Sequence, residues 1–218
     1  MIEHAVEAGS PLPHRPSWRE ITRRFADDRV CLAAFLALEG AEVLAGVKPG
    51  NLVNVGNRQR PCGRNLHTLW RTHGQPLLSV TGLHALELHD RGSSVLLFLY
   101  DESRLKCLLQ QKAVRTILQK CGYSDPSNLA GTLGELKARA GGNVFPHEIG
   151  IFLGYPLKDV LAFMGSIRIP YSCQGPWKIY GNPLQSLALA RCYRECRYRM
   201  ACHLAEGIDP VQCLRKAA

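Results

Sequence analysis

Residues 145–164, FPHEIGIFLGYPLKDVLAFM, restrict the possible folds more than any other stretch of the chain. Two short apolar segments follow one another, and each is opened by a proline, Pro146 and Pro156. Proline suits a first helical position, where its missing N–H would be unpaired in any case. Gly154 stands between the segments, where a left-handed residue ends a helix. The spacing predicts two short helices joined by a very tight turn.

The rest of the chain reads as mostly helical, with one small antiparallel sheet. His84 to His89 alternates, Asp90 to Ser93 signals a turn, and Val95 to Tyr100 is continuously apolar. That pattern predicts a β-hairpin over about 84–100 whose second strand is covered on both faces. Further short strands are expected near 51–55 and 177–180. Helices are expected over Cys31–Val47, Leu66–His73, Ser127–Ala140 and Pro183–Glu206, the last capped by Asn182 and ended by Gly207. Between Ser103 and Cys121 the apolar positions form two stripes out of phase, which predicts a kink or two abutting helices near Gln110–Lys112. Ile167 to Lys178 reads as irregular. The fold class is α+β: a single globular domain, 18–218, behind a polar, proline-rich leader, 1–17, that lacks the apolar core of a secretion signal.

The formal net charge of +9 favours anionic partners, and Gly56 to Asn65 is a basic loop. Nine cysteines form an odd set without a C-x-x-C pair, which predicts reduced thiols and a cytoplasmic setting. No apolar run approaches the roughly 20 residues that a membrane span needs.

The motif FPHEIGIFLGYPLKDV, then YSCQGPWKIYG and a Tyr-rich helix containing Cys196, resembles a bacterial family catalogued as domain of unknown function 3793. LAGVKPGNL, Leu44 to Leu52, resembles that family's N-terminal motif. The resemblance runs from about Gly40 to the C-terminus. It implies a stand-alone bacterial cytoplasmic protein and supplies no reaction, ligand or catalytic residue. The family often carries a cysteine where this chain has Gly40.

Candidate chemistry gathers around these motifs. His147-Glu148 begins like a zinc-protease helix, but the second His that motif needs is replaced by Ile151. Glu148 also reads as a first-turn carboxylate at a helix N-terminus. Trp177, Lys178 and Tyr180, with Tyr155 and Tyr171, are placed to wall a pocket for a flat or anionic ligand, or equally to close the core around a loop. Cys192, Cys196 and His203 share one helical stripe, and Cys173 is a further candidate metal ligand; the same stripe is also an ordinary apolar helix face. Arg191, Arg194 and Arg197 run along the other side of that helix.

Three functions follow as expectations. The first is a binding or accessory protein for a metal, a metal-bearing cofactor or an anionic small molecule, with a small ligand or a protein as partner. The second is a DNA-binding regulator that uses 146–164 as a helix-turn-helix, although the would-be recognition helix, with Leu157, Lys158, Asp159, Leu161 and Ala162 exposed, has few donors for bases or phosphates. The third is an enzyme with His147 as general base. No catalytic residue is assigned, because nothing in the sequence pairs with His147.

Overall fold

The computed structural model describes residues 14–142 and 144–215. In chain order its elements are α1 (Trp18–Thr22), α2 (Asp28–Glu39), α3 (Ala41–Leu44), β1 (Gly50–Gly56), α4 (Leu66–Leu78), β2 (His84–Asp90), β3 (Ser94–Tyr100), α5 (Glu102–Gln110), α6 (Lys112–Lys120), α7 (Leu129–Ala140), α8 (Ile149–Phe152), α9 (Leu157–Phe163), β4 (Tyr171–Gln174), β5 (Lys178–Tyr180), α10 (Leu184–Ala205) and α11 (Pro210–Leu214). The class is α+β. Most of the expected leader, residues 1–13, lies outside the described residues; Ser17 caps α1 in a capping box with Glu20.

A three-stranded antiparallel sheet, in the order β1-β3-β2, divides two hydrophobic cores. The unbroken apolar run of β3 follows from this central place. Val95, Leu97 and Leu99 face a core built with α2, α4 and α11. Phe98, on the other face, packs with Leu105, Leu118, Leu136 and Phe152. A bulge between Glu87 and His89 interrupts the β2–β3 register.

Several expectations need correction. The expected 31–47 helix breaks at Gly40 into α2 and α3. α4 runs past His73 to Leu78 and carries Pro76 within its last turn, where only one backbone bond is forfeited. The strand expected near 177–180 does not join the hairpin. It pairs with β4, inside the segment expected to be irregular, and makes a separate two-stranded sheet. The phase change at Gln111 does separate two helices, α5 and α6, through one extended residue.

The tight pair at 146–164 is present, with a different entry. Pro146 opens a turn, not a helix: its carbonyl accepts from the Ile149 N–H at 3.3 Å, and α8 starts only at Ile149. Pro156 immediately precedes α9. Gly154 has φ +71°, and the Tyr155 N–H reaches back to the Gly150 carbonyl at 2.9 Å, closing α8 with a left-handed cap. A β-carbon on Gly154 would meet Cδ of Pro49 at 2.6 Å. The 44–52 motif therefore packs directly on the bend between the two helices.

Candidate functional site

The bend, α9 and the β4–β5 hairpin enclose a cavity of about 340 Å³. Its lining is largely apolar and includes Ile149, Leu153, Val160 and Phe163. Tyr155 and Trp177 form one wall as a stacked pair, with ring centroids 4.4 Å apart and planes 20° from parallel. His147 and Lys178 stand at the exposed rim, on either side of Phe163. The His147 ring meets Phe163 edge-on at 5.0 Å, and Lys178 Nζ is 5.6 Å from the Phe163 ring centre.

The wall is fixed from behind by Asp159, which is only 1% exposed. Its Oδ2 accepts from Trp177 Nε1 at 2.9 Å and Ser186 Oγ at 2.6 Å; its Oδ1 accepts from Lys158 Nζ at 2.7 Å and the Tyr180 N–H at 3.0 Å. Burial alone would raise the Asp159 pKa, but the hydrogen bonds from Lys158, Ser186, Trp177 and Tyr180 outweigh it and hold the carboxyl below its ordinary value. One carboxylate thus ties α9, β5 and α10 together and sets the indole plane. The Trp177 N–H is thus engaged, and the Tyr155 ring covers one face of the indole.

Behind Tyr155 lies a second buried polar group. Lys48 Nζ donates to Asn51 Oδ1 at 2.6 Å and stands 5.4 Å and 5.1 Å from the ring centres of Tyr155 and Tyr193. Burial lowers its pKa to about 8, against the opposing pull of Glu42 and with a further push from Arg197. Arg197 pairs with Glu39 and lies 3.8 Å from Glu42. Burial raises the Glu42 pKa, with Arg197 opposing.

A family model described as "Protein of unknown function (DUF3793)" matches residues 36–214. The chain belongs to this family. No curated protein and no solved structure matches it. Within this family member, the 44–52 motif supplies Lys48, Pro49 and Asn51 behind the aromatic wall, and the 145–180 motifs supply the cavity itself. A β-carbon at Gly40 would point at Leu83 Cδ2, 3.3 Å away, and crowd the Leu36 carbonyl at 2.9 Å. That position is a core position.

The residues singled out in the sequence separate into groups. His147, Tyr155, Trp177 and Lys178 line the cavity. Glu148 does not. It is buried beside α8, with Tyr123 Oη 3.4 Å and Arg139 Nη1 3.5 Å from its Oε1, and makes no side-chain cap bond to the helix. Tyr171 and Tyr180 pack against each other at 6.0 Å outside the lining, with Tyr171 more than half exposed.

The four candidate metal ligands are not brought together. Cys173 packs with the Trp177 cluster, apart from α10, where Cys192 and Cys196 are neighbours and His203 lies further along the helix. Among the described residues, no group of three or more His, Cys, Asp or Glu side chains is placed to hold a metal ion. Cys196 is buried and its pKa is pushed up to about 11, first by burial and then by Cys192, so its thiol stays protonated at neutral pH.

The expected recognition helix is also corrected. Asp159 is buried, and Lys158, the helix's one cation, is bound to Asp159 and to the Tyr180 carbonyl at 2.6 Å. α8 is buried along its whole length. The sequence missed Asp159, Val160 and Phe163 as site residues. Asp159 was read only as an exposed residue of the would-be recognition helix; its donors Trp177 and Ser186 are distant along the chain.

Proposed function

We propose that the chain is a binding or accessory protein for a small molecule with a flat apolar body and one anionic end. The observation that carries this reading is the stacked Tyr155–Trp177 wall inside an apolar cavity whose rim holds Lys178 and His147. A flat ring gains dispersion and apolar burial against the aromatic wall and the Val160 and Leu153 side chains. An anionic end reaches Lys178 at the mouth without being stripped of water, so the charge is recognised and not trapped.

The cavity's interior favours binding over chemistry. Among the described residues no carboxylate is ion-paired with His147, which leaves a general base without an orienting partner. A metal reading of Cys173, Cys192, Cys196 and His203 lacks a gathered ligand set. A DNA reading lacks a free cation on α9. Nine free cysteines support a reducing, cytoplasmic setting. No helix among the described residues is long and apolar enough to cross a membrane.

The test uses 1-anilinonaphthalene-8-sulfonate, a flat apolar probe with one anionic group. Its fluorescence should rise and saturate at one probe per folded chain. Lys178→Met should weaken binding about tenfold, the effect of about 1.4 kcal/mol. Absence of saturation, or an affinity unchanged in Lys178→Met and in Phe163→Ala, would remove the cavity as a ligand site.

A further inference from the structure

A second cleft, of about 400 Å³, lies between α1 and the basic loop that precedes α4. It is remote in sequence from the 145–180 motifs, and its chemistry is different. Arg19, Arg23, Arg60 and Arg64 all line it, together with Trp18 and Cys62, and no carboxylate is among its lining residues.

Two of these guanidiniums, Arg60 and Arg64, are held in place, while Arg19 and Arg23 are exposed. Arg64 is held by Asp28 Oδ1 at 2.8 Å and by the Ala26 carbonyl. The Arg60 guanidinium stands 5.9 Å from the centre of the Trp18 ring and 5.5 Å from that of Phe35. The loop that carries both is pinned at its base by a bridge between Gln59 and Asn65. It is closed by the Arg60 N–H donating to the Arg64 carbonyl at 2.8 Å, and Gly63 turns it with φ +79°. Arg19 on α1 and Arg23, its C-cap residue, are four residues apart and share one side. Glu20 on the same helix turns back to the Ser17 N–H, at 2.6 Å. Among the described residues, Arg19, Arg23 and Arg60 form no ion pair with a carboxylate.

Two donors at this wall, Trp18 Nε1 and Arg60 Nε, are shielded from solvent and make no hydrogen bond. Buried donors in that state cost stability unless an acceptor meets them. Arg19, Arg23 and Arg60 repel each other in one concave site, Arg64 being offset by Asp28, and the field between them is focused there. That repulsion is relieved by a small polyvalent anion. Each guanidinium fork takes two oxygens; a pyrophosphate carries enough oxygens and charge to serve several forks at once, whereas acetate fills one.

We propose that this cleft is a binding site for a small phosphate-bearing molecule, with Arg60 and Arg64 as fixed donors and Arg19 and Arg23 closing over the anion from α1. The site is independent of the apolar cavity. Pyrophosphate is the probe, titrated calorimetrically into the full chain with acetate as the control anion.

The wild-type chain should bind pyrophosphate saturably, with an affinity that falls as salt is added. The double variant Arg19→Gln/Arg23→Gln changes two exposed side chains and should weaken binding at least tenfold. Arg191→Gln/Arg194→Gln, on the exposed side of α10, should leave it unchanged. Trp18→Phe should remove the tryptophan fluorescence change that accompanies binding. Absence of a binding heat would overturn the proposal. So would equal weakening by the two double variants, which would show diffuse attraction to a basic surface. Acetate binding as tightly as pyrophosphate, or a fluorescence change that persists in Trp18→Phe, would overturn it as well.

Discussion

At the residue scale, Asp159 and Lys48 decide how the aromatic wall is held. Asp159 accepts four hydrogen bonds in a buried setting. Asp159→Ala leaves the Trp177 and Tyr180 N–H groups and the Ser186 hydroxyl without their acceptor and should cost about 3 kcal/mol in urea unfolding. The pH dependence follows from its lowered pKa. Asp159 stabilises the fold above its ordinary value of 3.8, and that contribution fades as pH falls through the lower folded value. The stability gap between wild type and Asp159→Asn should therefore narrow under strongly acidic conditions, and a gap that is constant with pH would deny the carboxylate this role.

Lys48 also has a lowered pKa, so its contribution also improves as pH rises, but the cause is burial that penalises its charged form. Below about pH 8 both folded and unfolded chains carry it protonated, and its burial penalty is complete. Between about 8 and the ordinary 10.5 the folded chain has released the proton and the unfolded chain has not, so the penalty shrinks as pH rises. Tyr155, Tyr193 and Cys196, all raised by burial, act in the other direction, so the comparison must be with a variant. Relative to Lys48→Met, wild type should gain stability between pH 8 and 10, by about 2 kcal/mol. Urea midpoints at both pH values read this directly, and parallel curves would contradict it.

At the scale of elements, the bend between α8 and α9 is the hinge of the architecture. Gly154 combines a left-handed backbone with contact against Pro49. Gly154→Ala should cost about 2 kcal/mol from backbone strain and the displaced proline. It should also lower the affinity for the anilinonaphthalene probe, because Tyr155 is the next residue. A variant as stable as wild type with full binding would separate the bend from the cavity. This element shows how much of the site the sequence discloses. Pro156 and Gly154 announced the turn because their backbone restrictions are local. Pro146 misled, since proline opens turns as readily as helices. β4 was invisible: Tyr171-Ser172-Cys173-Gln174 is too short and too polar to show a period, and its strand form comes from pairing with β5. Tyr155, Trp177 and Lys178 were legible as a site because rings and cations near one turn are a chemical signal. Asp159 was not, because an acid in a first helical turn looks solvated until its distant donors are placed.

At the scale of the whole molecule, two clefts of different character lie on one scaffold. One is apolar with a cation at its rim, built by the family's own motifs; the other is lined by arginines and built by α1 and the loop before α4. The chain has three tryptophans, and they report separately: Trp177 in the first cleft, Trp18 in the second, and Trp70 in the core, bonded to Glu87 at 2.7 Å. The most direct measurement is a titration of the 15N-labelled protein with 1-anilinonaphthalene-8-sulfonate, followed through the three indole N–H resonances and assigned with Trp→Phe variants. The account predicts that the Trp177 signal moves progressively to saturation while those of Trp70 and Trp18 stay in place. A probe that binds with the Trp177 signal unmoved would contradict it.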